Sequence, residues 1–264
     1  WKINLDWERK NLAIYFSDIE WFTTISEKFE PEELVAFLRE FLSEMSDIIM
    51  DEKWFINKYE WDAIMALWWA FTPYDNSAYN ACISALYQQK RLLELNEIWW
   101  KRGFSTIKVR IGLHAWEAIV WNIWSSWRKM EFTALWDSVN LASRLEGVNK
   151  FYWTYICASE SIYEEVKDTF EFRYLDKIRV KWKSKPIKIY ELLWLKWEIK
   201  EEILNIKTLF ENALNLYNSR DFESAKNSFL DLIKLWDNPS KFYLEMSEFY
   251  IKNPPLSEWD GVSE

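Results

Sequence analysis

Hydrophobic and polar positions change period along the chain, and each change marks an element. LAIYFS, residues 12–17, is a short apolar run ending at Asp18, the pattern of a buried strand that delivers a carboxylate at its tip. From Pro31, a residue suited to the first helical turn, Leu34, Phe37, Leu38, Phe41, Leu42, Met45, Ile48 and Ile49 recur at intervals of three and four, which predicts an amphipathic helix. FINKYE and DAIMALW, broken at Trp61, read as the two strands of a hairpin, and residues 76–99 return to helical spacing. TIKVRIGLHA and EAIVWNI are strand-like, LWDSVNLASRLEGV is a helix expected to end at Gly147, and TYICAS is a strand. EFRYLDKIRVKWKSKPIKIYELL alternates apolar with basic residues around Pro186, which predicts a further hairpin. Strands and helices interleaved in this way make an α+β fold.

Beyond residue 198 the pattern becomes helical, with Phe210, Ala213, Leu214 and Tyr217 on one helix, Phe222, Ala225, Phe229 and Leu232 on the next, and a turn at Ser219–Asp221. The pair resembles one tetratricopeptide-like (TPR-like) hairpin. A single such unit cannot bury its own apolar face, so it is expected to pack on the preceding domain or on a partner. NPPLSEWDGV then reads as an extended tail. The organisation expected is a linker from a missing N-terminal region over 1–9, an α+β domain over 10–193, a helical appendage over 199–252 and a tail over 253–264.

Composition narrows the picture. The net charge of −9 argues against nucleic acid as a partner, because a phosphate-binding surface needs dense Lys and Arg. Cys82 and Cys157 show neither CxxC nor Cys/His spacing, so neither a zinc site nor a disulfide framework is expected, and a reducing cytoplasm fits. The 264 residues contain no run of eighteen apolar positions and open on no basic-then-apolar leader, so no span or export signal is expected within them. The start at Trp1 instead of Met reads as a fragment of something longer. Most unusual are 20 Trp against 4 Gly, where globular domains carry Gly at about 7%. In HAWEAIVWNIWSSWRK, Trp116, Trp121, Trp124 and Trp127 build no periodic apolar face, whereas Gly at the same positions would give a strand, a loop and a turn.

Candidate chemistry centres on Asp18 at a strand end and Asp62 at the hairpin break. Paired carboxylates on neighbouring strand ends hold Mg2+ against a triphosphate, since Mg2+ takes few carboxylates plus phosphate oxygens. On the residues alone, turn or cap roles account for the pair as well. The lone His114 lies in a strand-like segment and is expected to be structural.

FSDIEWFTTISE, INKYEWDAIMA, VRIGLHAWEAIVWNI, FTALWDSVNLASRLE and VKWKSKPIKIYEL follow one another between about residues 10 and 193, and together they resemble the class III adenylate/guanylate cyclase domain. The resemblance implies a ferredoxin-like class III nucleotide cyclase fold, here with a small C-terminal α-helical appendage. It also implies conversion of ATP to 3′,5′-cyclic AMP and pyrophosphate with two divalent ions, Mg2+ or Mn2+. Asp18 and Asp62 match the metal aspartates, with the Ile19 carbonyl as a further ligand. The backbone N–H groups of Phe22 and Thr23 match the phosphate cradle. Lys58 and Thr133 match the purine-reading pair and favour adenine, Asn140 and Arg144 match the transition-state pair, and Lys181 or Lys183 would meet the β- and γ-phosphates. A solvated basic hairpin accounts equally for these last two lysines.

In the family the site is shared between protomers, so a homodimer is expected, with a CHASE-type membrane sensor region absent from this chain and the catalytic region at the cytoplasmic face. The sequence departs from the family by carrying Trp at positions 21, 61, 116, 121, 136 and 182, where glycine is usual, and Trp54, Trp69 and Trp153 behave likewise. Trp68 and Trp259 stand where Trp itself is expected. The pattern suggests a source that reads UGA as glycine. A guanylate cyclase of the same fold, or a dimerisation and binding module impaired by Trp, are the rival readings.

Overall fold

In the computed structural model, which describes residues 8–52, 55–68, 77–125, 129–135, 137–179 and 186–262, one mixed sheet carries helices on both faces. The chain runs β1 (Glu8–Ile19), α1 (Phe22–Ser26), α2 (Pro31–Asp51), β2 (Phe55–Glu60), β3 (Ala63–Trp68), α3 (Ser77–Lys101) and β4 (Val109–Ser125). It continues through β5 (Lys129–Leu135), α4 (Asp137–Tyr152), β6 (Ile156–Ser159), α5 (Glu160–Val166), β7 (Phe170–Ile178) and β8 (Ile187–Leu195). Three helices close it: α6 (Glu201–Asn218), α7 (Phe222–Lys234) and α8 (Ser240–Lys252). The strand order is β2-β3-β1-β4-β6-β8-β7, with β5 also paired to β4. The β4–β6 pair is parallel and the other pairs are antiparallel.

Alternation along β1 sorts its side chains between two cores. Ala13 and Tyr15 join Phe37, Phe41, Met45 and Ile49 of α2 and the buried face of α3 in the larger one. Leu12 and Ile14 face the other way and meet Met65, Leu67 and Ala142, which brings α4 onto the opposite face. Gly112 of β4 sets that contact. A Cβ there would come within 2.3 Å of Ala142 O and Glu146 N, backbone atoms of α4 that cannot swing aside. Gly112→Ala is therefore expected to lift α4 off the sheet at a cost of about 3 kcal/mol, measurable as a lowered denaturant midpoint.

Two sequence expectations change. β4 runs unbroken through Trp116, because Val109–Val120 pair without interruption along β1, with Trp116 opposite Leu12, and this continuous ladder overrides the local break. Helix α4 does not stop at Gly147 but continues to Tyr152. The Asn149 amide donates to Ile111 O (2.9 Å) and Leu145 O (3.1 Å), and Tyr152 is buried, so tertiary contacts carry the helix past the glycine. The hairpins over β2–β3 and β7–β8, the α2 stripe and the β6 strand form as predicted. The C-terminal helices bury Phe210, Ala213, Leu214, Tyr217, Phe229 and Tyr243 against Leu141, Leu145, Leu175 and Ile189, so the appendage does dock on the α+β domain. Cys82 and Cys157 are buried free thiols in separate cores. Among the described residues no helix is long and apolar enough to cross a membrane.

Candidate active site

The site forms where β1 ends and the β2–β3 hairpin turns. Strand β1 carries Asp18 to its tip, and the two-residue turn Trp61-Asp62 places Asp62 beside it, with Asp62 Oδ2 accepting a hydrogen bond from the Ile19 N–H at 3.2 Å. Asp62 is buried, and the two carboxyl groups lie within hydrogen-bonding reach of each other. Burial first, and then the neighbouring Asp18 charge, push the Asp62 carboxyl from its ordinary 3.8 up to about 7. A cation between the two would relieve that repulsion, so this donor set fits a divalent ion. Among the described residues no group of three or more His, Cys, Asp and Glu could hold a metal. An ion held by this pair would therefore complete its shell largely from substrate and water oxygens, as Mg2+ does.

Two charged groups that the sequence reading missed complete the surroundings. Arg110 of β4 stands opposite Asp18 in the β1–β4 register, with its guanidinium 3.5 Å from Asp18 Oδ2. Its Nε lies 2.9 Å from Glu146 Oε1 on α4, and both side chains are largely buried. Burial and the Asp18 charge push Glu146 up to about 7 against the opposing pull of Arg110. Arg110 thus joins the carboxylate end of the sheet to α4 and brings positive charge beside Asp18.

The other candidate residues divide by location. Phe22 and Thr23 open α1, so their N–H groups belong to the donors that a helix leaves without internal partners. Lys58 is exposed on β2, after a register shift between Ile56 and Lys58, and its amine pairs with Glu60. Asn140 and Arg144 lie one helical turn apart on α4, with Asn140 exposed and Arg144 half-buried. Thr133 lies on β5 with its backbone opposite Trp121. Lys181 and Lys183 lie outside the described residues, as do Trp54, Trp69, Trp136 and Trp182. His114 is buried, its Nδ1 2.8 Å from Ser159 Oγ and 3.2 Å from Ser161 Oγ, so it ties β4 to the start of α5. Those serines come from distant sequence, which is why no partner was visible beforehand.

The turn geometry bears on the tryptophans. Trp21 (φ 61°), Trp61 (φ 58°) and Trp153 (φ 51°) have left-handed backbone, the region bulky residues avoid and glycine enters freely. Trp21 caps α1 and is 64% exposed, while Trp61 in the hairpin turn is 83% exposed. Neither indole gains by burial what its backbone loses.

Comparison with known proteins gives the family. The family model for the adenylate and guanylate cyclase catalytic domain matches residues 7–194. Adenylate cyclase 1 of Rhizobium meliloti (strain 1021) is 35% identical over 185 residues, covering 70% of this chain and 28% of that protein. The terminal-differentiation specific adenylate cyclase of Dictyostelium discoideum is 32% identical over 256 residues, covering 94% of this chain and 12% of that protein. The chain thus spans well under half the length of these two relatives. Among solved structures, the adenylyl cyclase CyaB from P. aeruginosa superposes with a TM-score of 0.67 at 29% identity, over 74% of this chain and 100% of that one. The guanylyl cyclase Cya2 superposes equally well, with a TM-score of 0.67 at 25% identity, over 73% of this chain and 96% of that one. Through residues 7–194, this chain belongs to the adenylate and guanylate cyclase catalytic domain family.

Proposed function

We propose that the chain is an adenylate cyclase that converts ATP to 3′,5′-cyclic AMP and pyrophosphate in the cytoplasm, at sites shared between two copies in a homodimer. The observation that carries this reading is the Asp18–Asp62 pair, in which burial and mutual repulsion hold Asp62 near 7 where a cation is called for. Two divalent ions, Mg2+ or Mn2+, held by Asp18, Asp62 and the Ile19 carbonyl would acidify the ribose 3′-hydroxyl and neutralise the triphosphate. In the displacement, the 3′-oxygen bonds to the α-phosphorus as the bond to the bridging oxygen breaks. The hydroxyl proton passes to solvent and pyrophosphate carries away the electron pair. Arg144 would bear on the charge that develops at the α-phosphoryl group, while Asn140 orients the ribose by hydrogen bonding. Arg110, already drawn to Asp18, would shift part of its charge to the phosphates. The N–H groups of Phe22 and Thr23 would donate to phosphate oxygens, and Lys181 or Lys183 would pair with the β- and γ-phosphates.

Base choice rests on Lys58 and Thr133. An ammonium can donate to adenine N1, and a threonine hydroxyl can accept from the exocyclic amine. Lys58→Glu is expected to lower kcat/KM for ATP about a hundredfold, the cost of replacing a charged donor to the base by an acceptor, with a smaller loss for GTP. Equal losses for the two nucleotides would remove Lys58 from base reading. The direct test supplies Mn2+ with ATP or GTP and measures cyclic nucleotide beside an Asp18→Ala control. Cyclic AMP that disappears in the control supports the proposal. Cyclic GMP alone would make the chain a guanylate cyclase, and no product from either nucleotide would favour a binding module. An N-terminal sensor region beyond this chain is part of the same proposal.

A further inference from the structure

Helix α4 carries Asn140 and Arg144, and it is held by the sheet and by the C-terminal helices. On the sheet side Gly112 lets its backbone approach so closely that no Cβ fits between them. Next to that approach Leu141 and Leu145, which follow the two site residues in sequence, share a core with Leu175 and Ile189 of the sheet and with Phe210, Tyr217 and Tyr243 of the C-terminal helices. The contact between α4 and those helices is apolar, and polar bonds tie both α4 and the C-terminal helices to β7 beside it. At the end of α4, Tyr152 donates its hydroxyl to Asp176 at 2.6 Å while its ring packs 4.7 Å from Phe242 of α8. Tyr243 donates to Leu175 O at 2.6 Å, and the buried Arg173 of β7 is paired with both Glu191 of β8 and Asp237, just before α8. A unit attached only for recruitment needs no buried ion pair and no shared core with the helix that carries the reacting-centre residues. The similarity to the Dictyostelium discoideum protein, which covers 94% of this chain, also runs well past residue 194.

We propose that the C-terminal helices are a positioning element of the active site, in which Phe242 and Tyr152 clamp α4 and so set where Asn140 and Arg144 meet the substrate. The proposal rests on the shared-site cyclase reading. Loosening the clamp tilts α4 and displaces groups that act on the developing charge, so it lowers turnover more than substrate binding.

In the homodimer, Phe242→Ala is expected to lower kcat about tenfold with KM for ATP within about twofold, and Phe242→Tyr to restore it. Unchanged kcat would overturn the proposal, as would a loss that Phe242→Tyr fails to restore. Mixed dimers then separate positioning from general loosening. One chain carries Asp18→Ala and the other Asn140→Ala, leaving one working site, whose α4 comes from the Asp18→Ala chain. Phe242→Ala should reduce turnover only when placed in that chain, and equal losses in both placements would overturn the proposal. Inactive mixed dimers with Phe242 intact would instead refute the shared site, and the kcat result in the homodimer would then decide whether the clamp acts within one chain.

Discussion

Asp62→Asn is expected to reduce cyclic nucleotide formation about a thousandfold while raising the melting temperature of the metal-free protein at pH 8. Both effects follow from one geometry. The Asp62 carboxyl is lifted from 3.8 to about 7 by burial and by Asp18, so the folded chain holds its proton more tightly than the unfolded chain does. Its favourable contribution to folding is therefore complete below about pH 4 and is lost as pH rises through about 7. Above that pH the protein carries two adjoining carboxylates with no cation between them. Asparagine still accepts the Ile19 N–H bond but has no proton to lose, so the variant's stability should fall less steeply between pH 4 and 8. Glu146, also raised to about 7, leaves a residual slope in the variant. Mg2+ should reverse the order, since an ion that binds only the folded state stabilises it. The wild type should gain melting temperature on Mg2+ addition at pH 8, and the variant should gain little. Equal gains in the two proteins would place the metal elsewhere.

What was legible in the sequence was what local pattern encodes. The strand ending in Asp18, the hairpin break at Asp62 and the α2 stripe are each written in fewer than twenty consecutive residues, and each appears in the fold. Arg110 and Glu146 were not legible, because their roles depend on which residue of β4 falls opposite Asp18 and on how closely α4 approaches the sheet at Gly112. The same non-local forces moved two boundaries. Unbroken pairing along β1 keeps β4 continuous through Trp116, and the Asn149 bonds with the Tyr152 packing carry α4 beyond Gly147. The expected docking of the C-terminal helices followed from an apolar face with no partner of its own. Their grip on α4 did not follow, because Tyr152, Phe242 and Asp176 meet only in the folded chain.

Replacing Trp21, Trp61, Trp153 and Trp236 together by glycine is expected to stabilise the protein by about 4 kcal/mol, near 1 kcal/mol per position. Among the described residues five non-glycine positions have left-handed backbone, and four of them are these tryptophans. The helix ends show what such positions require. After α3, Phe104 N–H bonds back to Trp99 O across Gly103, a closure whose middle residue takes positive φ. The same closure follows α4, where Thr154 N–H reaches Asn149 O across Trp153, and α7, where Asp237 N–H reaches Leu232 O across Trp236. After α6 the middle residue is Arg220, which compensates by donating to Leu256 O, Ser257 O and Trp259 O. Trp236, by contrast, is 90% exposed, so its indole offsets little of the backbone strain. Trp99 provides the opposing control. It is fully buried against Phe37, and Trp99→Gly should cost about 4 kcal/mol. If the N–H groups of Phe22 and Thr23 bind phosphate as proposed, the fourfold variant should also form cyclic nucleotide faster, because glycine at position 21 carries no side chain beside them. A raised denaturant midpoint with raised kcat would support glycine as the residue the source inserts at these four positions, and the mass of the protein purified from that source would then be lower than the printed sequence gives. A lowered midpoint would mean that tryptophan is accommodated at these turns.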